Sequence, residues 1–451
     1  MRSLFILEKH GKEMGRHDEA VGAYGNQLSA VGRARPYNRC MTHDHASFRQ
    51  MGPGALALAL QDARQRTLAL FDALAAAGYD SAAQVPRMAT LNLPLWELGH
   101  VAWFAEWFAL REAASSSPGD AIGHSLLAHG DEWFDSNAVT HGTRWELDLP
   151  APDALKLYCR AVLDKLRERL AGTPEDDAAL YAYRLVLAHE DMHGEALLYT
   201  LQTLGAAPPA AVAVTGAAGG KGADEGTGAE SASGEIAIAG GSFLCGGDQS
   251  RGFVFDNERQ AAPCRVAPFA IDAGLVSNAA YLDFMRAGGY ACRRYWSEAG
   301  HAWLLERRRR APRYWQREDA GGDWKAMRFA SLAALDPAEP VRHVSLYEAE
   351  AYCSWAGRRL PSEQEWECAA ASGQPGFEWG QLWEWTASVF LPRAGFAPDR
   401  YREYSVPYFD SRQTLRGASF ATPMRLRSPH FRNFYTPERD DIFVGFRTCA
   451  L

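Results

Sequence analysis

Between Ala206 and Gly234 the sequence runs through alanine, glycine, threonine, serine and proline with almost no large apolar side chain. Such a stretch has too little apolar surface to offset the entropy of ordering it, so residues 206–234 read as a linker. At 451 residues the chain also exceeds what one hydrophobic core usually supports. Upstream of the linker, apolar residues recur with helical period over residues 56–74, 91–110, 154–170 and 178–204. Gly78, Pro86, Pro118, Pro150, Gly172 and Pro174 break the pattern between these runs. The reading is an up-and-down four-helix bundle over residues 54–205. Residues 1–53 have no apolar period and read as a disordered arm in which His43 and His45 are solvated.

After the linker the pattern changes. Over residues 235–451, short apolar segments (236–239, 252–255, 266–271) alternate with glycines, and tryptophan and tyrosine become dense. This predicts an irregular α+β domain, so the fold class is multidomain, α followed by α+β. One helix is plain: Ser345 and Glu348 have capping-box spacing, and Gly357 ends the run near Trp355.

Charge and cysteine content narrow the function. With 47 basic against 55 acidic residues the net charge is −8, which leaves no electrostatic footprint for nucleic acid. No stretch approaches the roughly 18 consecutive apolar residues of a membrane span, and the N-terminus lacks a secretory apolar core. Eight cysteines without a CxxC pair fit a reducing cytoplasm.

The sharpest chemical signal is His189-Glu-Asp-Met-His193-Gly-Glu195 on the fourth helical run. Side chains four apart share a helix face, so both imidazoles can reach one cation. His100 lies on the second run between Trp96, Leu98, Val101 and Trp103, and a buried histidine needs a partner or a metal. Three neutral imidazoles (His100, His189, His193) would leave coordination positions open, and by ligand type they suit iron(II) and zinc equally. Glu195 falls about 200° around the helix from His193 and is assigned to the surroundings of the site or to the surface. His189-Glu190 and His193 also satisfy the zinc-protease spacing, in which Glu190 would activate water. That continuation lacks a further histidine, so a zinc hydrolase ranks lower. A non-catalytic binding protein with a metal-stabilised scaffold is the third class.

The segment from Pro340 through His343, Trp355, Arg359, Pro361 and Trp366 resembles the core motif of the formylglycine-generating-enzyme (sulfatase-modifying-factor) fold, an irregular C-type-lectin-like α+β domain. Leu382-Trp-Glu-Trp385, Leu415-Arg-Gly-Ala-Ser419 and Val444-Gly-Phe-Arg447 continue the likeness to the C-terminus. In such a domain Trp355, Trp366, Trp385, Arg359 and Glu363 are framework. The copper-binding subgroup carries paired cysteines where residues 419–427 here have none, so copper oxidase chemistry is excluded.

A histidine-bearing bundle joined to this domain resembles the hercynine-modifying non-haem iron synthases, namely the sulfoxide synthases of ergothioneine and ovothiol biosynthesis and the selenoneine synthases. The resemblance implies a DinB-like bundle binding Fe(2+) through His100, His189 and His193. It also implies O2-dependent joining of sulfur or selenium to C2 of the hercynine imidazole. It makes Tyr401 the proton or electron donor, with Tyr404 as the alternative. Asn433, Phe434 and Tyr435 would line the substrate cavity, as would Arg144 and Trp145. Three departures bear on the donor: Met192 stands where many sulfur enzymes have glutamine, Tyr435 where they can carry an acid, and the segment 135–145 differs from their asparagine-tyrosine-rich version. The expected partners are therefore hercynine, O2 and a selenosugar, with a thiol as the next choice of co-substrate and glutamyl-cysteine disfavoured.

Overall fold

The computed structural model describes residues 47–111, 123–210, 212, 234–319 and 321–451. Residues 1–46 of the expected arm, His43 and His45 included, lie outside the described residues, as do 211 and 213–233 of the expected linker. Four long helices match the periodic runs: α1 (Pro53–Ala76), α2 (Pro94–Ala105), α4 (Pro152–Leu170) and α5 (Asp177–Leu204), with a short α3 (Gly130–Phe134) after α2. Proline at the first turn starts α1, α2 and α4, where the missing N–H is no loss. The Asp176 carboxylate caps α5, which ends on Gly205 at φ +66°, a left-handed conformation that glycine adopts without a Cβ clash.

Helix α2 is buried on every face, so it runs through the middle of the bundle. It continues as a π-helical turn over Glu106–Arg111. A Cβ on Gly99 would lie 2.2 Å from the Phe134 ring, so only glycine lets α3 close against α2 here. Within the stretch expected to be an arm, Phe48–Gln50 forms a 3-10 turn, and Phe48 is buried 5.4 Å from the Phe253 ring. A phenylalanine isolated in sequence carries no periodic signal, and its burial depends on partners two hundred residues away.

The C-terminal part contains small sheets around one larger one. Strands β1 (Glu235–Ile238) and β4 (Phe269–Asp272) pair antiparallel, as do β2 (Gly241–Cys245) and β3 (Ala262–Val266). The apolar stretch 266–271 is thus divided between two strands, and 252–255 forms none. Phe253, Val254 and Phe255 are instead buried without a ladder. Helices α6 (Asn278–Arg286) and α7 (Glu298–Arg307) follow, then the three-stranded sheet β5 (Trp315–Gln316), β6 (Lys325–Arg328), β7 (Ser331–Ala334). Helix α8 (Leu346–Ala356) begins with the Ser345–Glu348 capping box and ends at Gly357 with φ +65°. After α9 (Glu363–Ala371) the main sheet has the order β10 (Asn433–Tyr435), β9 (Gln413–Gly417), β8 (Trp383–Val389), β11 (Val444–Gly445), the last pair parallel.

The motif residues read as framework hold this sheet. Trp366 Nε1 donates to Glu384 Oε2 at 2.8 Å, and the Arg447 guanidinium grips both oxygens of the same carboxylate. Trp385 Nε1 donates to the Val344 carbonyl at 2.9 Å. Cys353 and Cys449 are buried and free. Among the described residues, no helix is long and apolar enough to cross a membrane.

Candidate metal centre

His100 on α2 and His189 and His193 on α5 meet in the bundle interior. Their ligand atoms all lie within 4.8 Å of one another. Ring centroids are 5.1 Å apart for His100–His189 and for His100–His193, and 4.5 Å for His189–His193. One turn of α5 brings His189 and His193 onto the same face. His100 comes from a different helix.

The hydrogen bonds fix which nitrogens are free. His100 Nδ1 donates to the Phe134 carbonyl at 2.8 Å. His193 Nδ1 donates to Glu97 Oε1 at 2.6 Å. With Nδ1 donating in both rings, Nε2 is the nitrogen left to each for a metal, the tautomer such a site requires. Among the described residues His189 has no hydrogen-bond partner at either nitrogen, and it is 2% exposed. A buried imidazole with neither nitrogen satisfied is costly unless a cation accepts its lone pair. Burial, with the neighbouring imidazoles adding to it, holds His100 and His189 well below the ordinary histidine range, so both stay neutral and able to ligate. Three imidazoles whose ligand atoms lie within 4.8 Å of one another suit a divalent cation by donor type.

Aromatic packing holds the rings in place. Trp96 stacks on His100 at 4.6 Å, and Phe104 stacks on His189 at 3.5 Å with planes only 3° apart. Sequence reasoning passed over Phe104 and Glu97. Glu97 could have been found: it precedes His100 by three residues and so shares its face, and a glutamate in so apolar a run needs a partner. It is fully buried, and its Oε2 has no hydrogen-bond partner among the described residues. Glu97→Gln keeps the shape but removes the charge that orients His193. The expected result is about 10–100-fold weaker metal binding with little change in the unfolding midpoint, measured by metal titration and thermal melting.

The remaining candidates are placed as follows. Tyr401 lies with its ring 6.0 Å from His189 and 4.8 Å from Phe104. Tyr404 lies 5.8 Å from Tyr401, and its hydroxyl is 3.7 Å from Met192 Sδ. Burial raises both phenols above the ordinary tyrosine range, so both are protonated at neutral pH. Phe434 meets Tyr404 at 5.6 Å. Arg439 lies over the Tyr435 ring at 4.7 Å, and Asn433 Oδ1 accepts from the Phe434 amide. Arg144 sits 3.6 Å over Trp96, donates to Asn92 Oδ1 at 2.5 Å and feels the charge of the buried Glu97 carboxylate. Burial lowers the Arg144 guanidinium to about 10. Trp145 packs in the bundle core, its Nε1 donating to the Val85 carbonyl at 2.9 Å.

Neither glutamate of the histidine motif reaches the ligand cluster. Glu190 is clasped by Arg64 at 2.7 and 3.0 Å, both side chains buried, so it has no freedom to activate water. Glu195 is not on the surface. It is 8% exposed and accepts from Trp383 Nε1 at 2.8 Å and from the Ser419 and Thr422 hydroxyls, both at 2.6 Å. The same helix that carries two histidines is thus bonded to the C-terminal sheet. Arg425 adds a two-pronged contact to Asp191, at 2.7 and 2.8 Å.

Residues 223–381 match the family model described as the sulfatase-modifying factor enzyme 1-like domain. The formylglycine-generating enzyme of Thermomonospora curvata is 35% identical over 37% of this chain and 65% of its own length. The hercynine oxygenase of Mycolicibacterium thermoresistibile is 32% identical, covering 87% of this chain and 94% of its own. That of Mycobacterium tuberculosis is 34% identical, over 88% and 98%. The likeness to these two runs through bundle and C-terminal domain alike, and the chain belongs to the hercynine oxygenase family.

Proposed function

We propose that this protein is an O2-dependent non-haem iron(II) enzyme that forms a carbon–selenium or carbon–sulfur bond at C2 of the hercynine imidazole, with a selenosugar as the preferred donor. The observation that carries the reading is His189, buried with two free nitrogens beside two imidazoles whose Nε2 atoms are also free. Iron(II) held by these rings would supply the redox chemistry that O2 requires and keep positions open for substrates.

The chain's own residues divide the remaining work. Tyr401, protonated and with its ring 6.0 Å from that of His189, would give a proton or electron beside the metal, with Tyr404 as the alternative. Phe434 and Tyr435 offer π faces to the trimethylammonium group, and Asn433 a polar contact. Arg144 presents a cation stacked on Trp96, suited to an anionic group on either substrate, while Trp145 anchors the turn that carries it. Met192 and Tyr435 leave the cavity without the amide and the acid associated with glutamyl-cysteine use, which favours selenium. The clasp of Arg64 on Glu190 disfavours a zinc hydrolase.

The test supplies iron-loaded protein with hercynine, O2 and, separately, a selenosugar, cysteine or glutamyl-cysteine, and identifies products by mass. Oxygen uptake should depend on hercynine, and a selenium-bearing product is expected. Turnover with glutamyl-cysteine alone would remove the selenium assignment. Tyr401→Phe should lower turnover about 10²–10⁴-fold with metal content unchanged.

A further inference from the structure

A cavity of about 730 Å³ opens between α6, α7 and the sheet β5–β7, and it shares no lining residue with the histidine cluster. Its volume lies within the range of small-molecule sites. Five arginines line it: Arg286 from α6, Arg308, Arg309 and Arg310 after α7, and Arg317 after β5. Asp323 is the single carboxylate among the described lining residues. In a chain of net charge −8 this is a local reversal of sign.

Two of the arginines are already neutralised, Arg309 by Asp440 and Arg286 by Asp283. Arg308, Arg310 and Arg317 have no carboxylate partner among the described residues. Positive side chains at the end of α7 are ordinary, because they complement the helix dipole. The dipole does not account for Arg317, which arrives from another element to the same cavity. Guanidinium forks match phosphate oxygens in pairs, so three free ones can hold several such oxygens. The rest of the lining includes apolar and aromatic side chains. Leu282, Leu304 and Tyr290 are among them, and Trp324 presents a ring on which Arg317 already stacks at 4.6 Å. A bare inorganic anion would leave those side chains unused.

We infer that this cavity is a second binding site, separate from the metal centre, for a small organic phosphate that carries a planar ring, of the nucleoside diphosphate class. The phosphates lie on Arg308, Arg310 and Arg317, and the ring lies on the Trp324 side. The inference stands independently of the reaction at the histidines.

Calorimetric titration of the full-length, metal-loaded protein tests it with ADP, adenosine and inorganic tripolyphosphate as probes. ADP should bind at one site per chain and more tightly than either other probe. The combined substitution Arg308→Ser, Arg310→Ser, Arg317→Ser should weaken ADP about 10-fold or more. These side chains are exposed, so the fold should survive, which thermal melting checks. Trp324→Ala should weaken ADP but not tripolyphosphate, and His189→Ala should leave ADP binding unchanged. The inference is overturned if ADP shows no saturable binding, if the arginine substitutions have no effect, or if His189→Ala abolishes binding. Tripolyphosphate binding as tightly as ADP and ignoring Trp324→Ala would reduce the cavity to a counter-ion site and overturn it equally.

Discussion

His189→Ala is expected to abolish metal binding and all O2-dependent turnover while leaving the protein folded. Both ring nitrogens of His189 are buried without a protein partner among the described residues. Each such group costs on the order of 1–3 kcal/mol. Alanine removes that penalty but also the stacking on Phe104 at 3.5 Å, and leaves a small void. The two changes oppose each other, so the metal-free melting temperature should move little. The bound state behaves differently. Metal at a hundred times its dissociation constant stabilises a native protein by about 2.7 kcal/mol, and two imidazoles cannot retain it. Anaerobic iron analysis together with melting curves, with and without iron(II), separates the cases. If His189→Ala keeps its metal and its metal-dependent rise in melting temperature, the three-histidine centre is wrong.

The largest loss of stability is expected from Glu190→Ala. Arg64 and Glu190 are each at most 3% exposed, and Arg64 is bonded to both carboxylate oxygens and to the Cys159 carbonyl. Removing the glutamate strands a buried guanidinium that burial cannot easily neutralise, a change that costs about 3–5 kcal/mol. Replacing both partners, Arg64→Met with Glu190→Leu, should recover most of it, because no charge is then left without a counter-ion. Denaturant unfolding of the two variants measures the difference. The same variants separate a structural glutamate from a catalytic one. Activity per folded molecule should fall less than tenfold in the double variant, whereas a water-activating base would take the reaction with it.

Much of this architecture was legible from local pattern. The helical period placed α1, α2, α4 and α5, since burying one face of a helix imposes a repeat that any window of the sequence displays. The Ser345–Glu348 box and Gly357 marked both ends of α8, because capping is settled within a few residues. Residues 252–255 illustrate the opposite: as apolar as a strand, they form none, and their burial comes from packing with Phe48 rather than from a ladder.

The site divides along the same line. The sequence alone determined that His189 and His193 share a face, since four residues on a helix fix that whatever surrounds it. The apolar flanks of His100 marked it as the third candidate, and family likeness added Tyr401. Only the tertiary structure decided that Glu97 orients His193, that Arg64 immobilises Glu190, and that Glu195 bonds the metal-bearing helix to Trp383, Ser419 and Thr422. Each of these joins residues from about 96 to 227 positions apart. A carboxylate's role depends on which donor reaches it through space, and spacing along the chain carries no record of that.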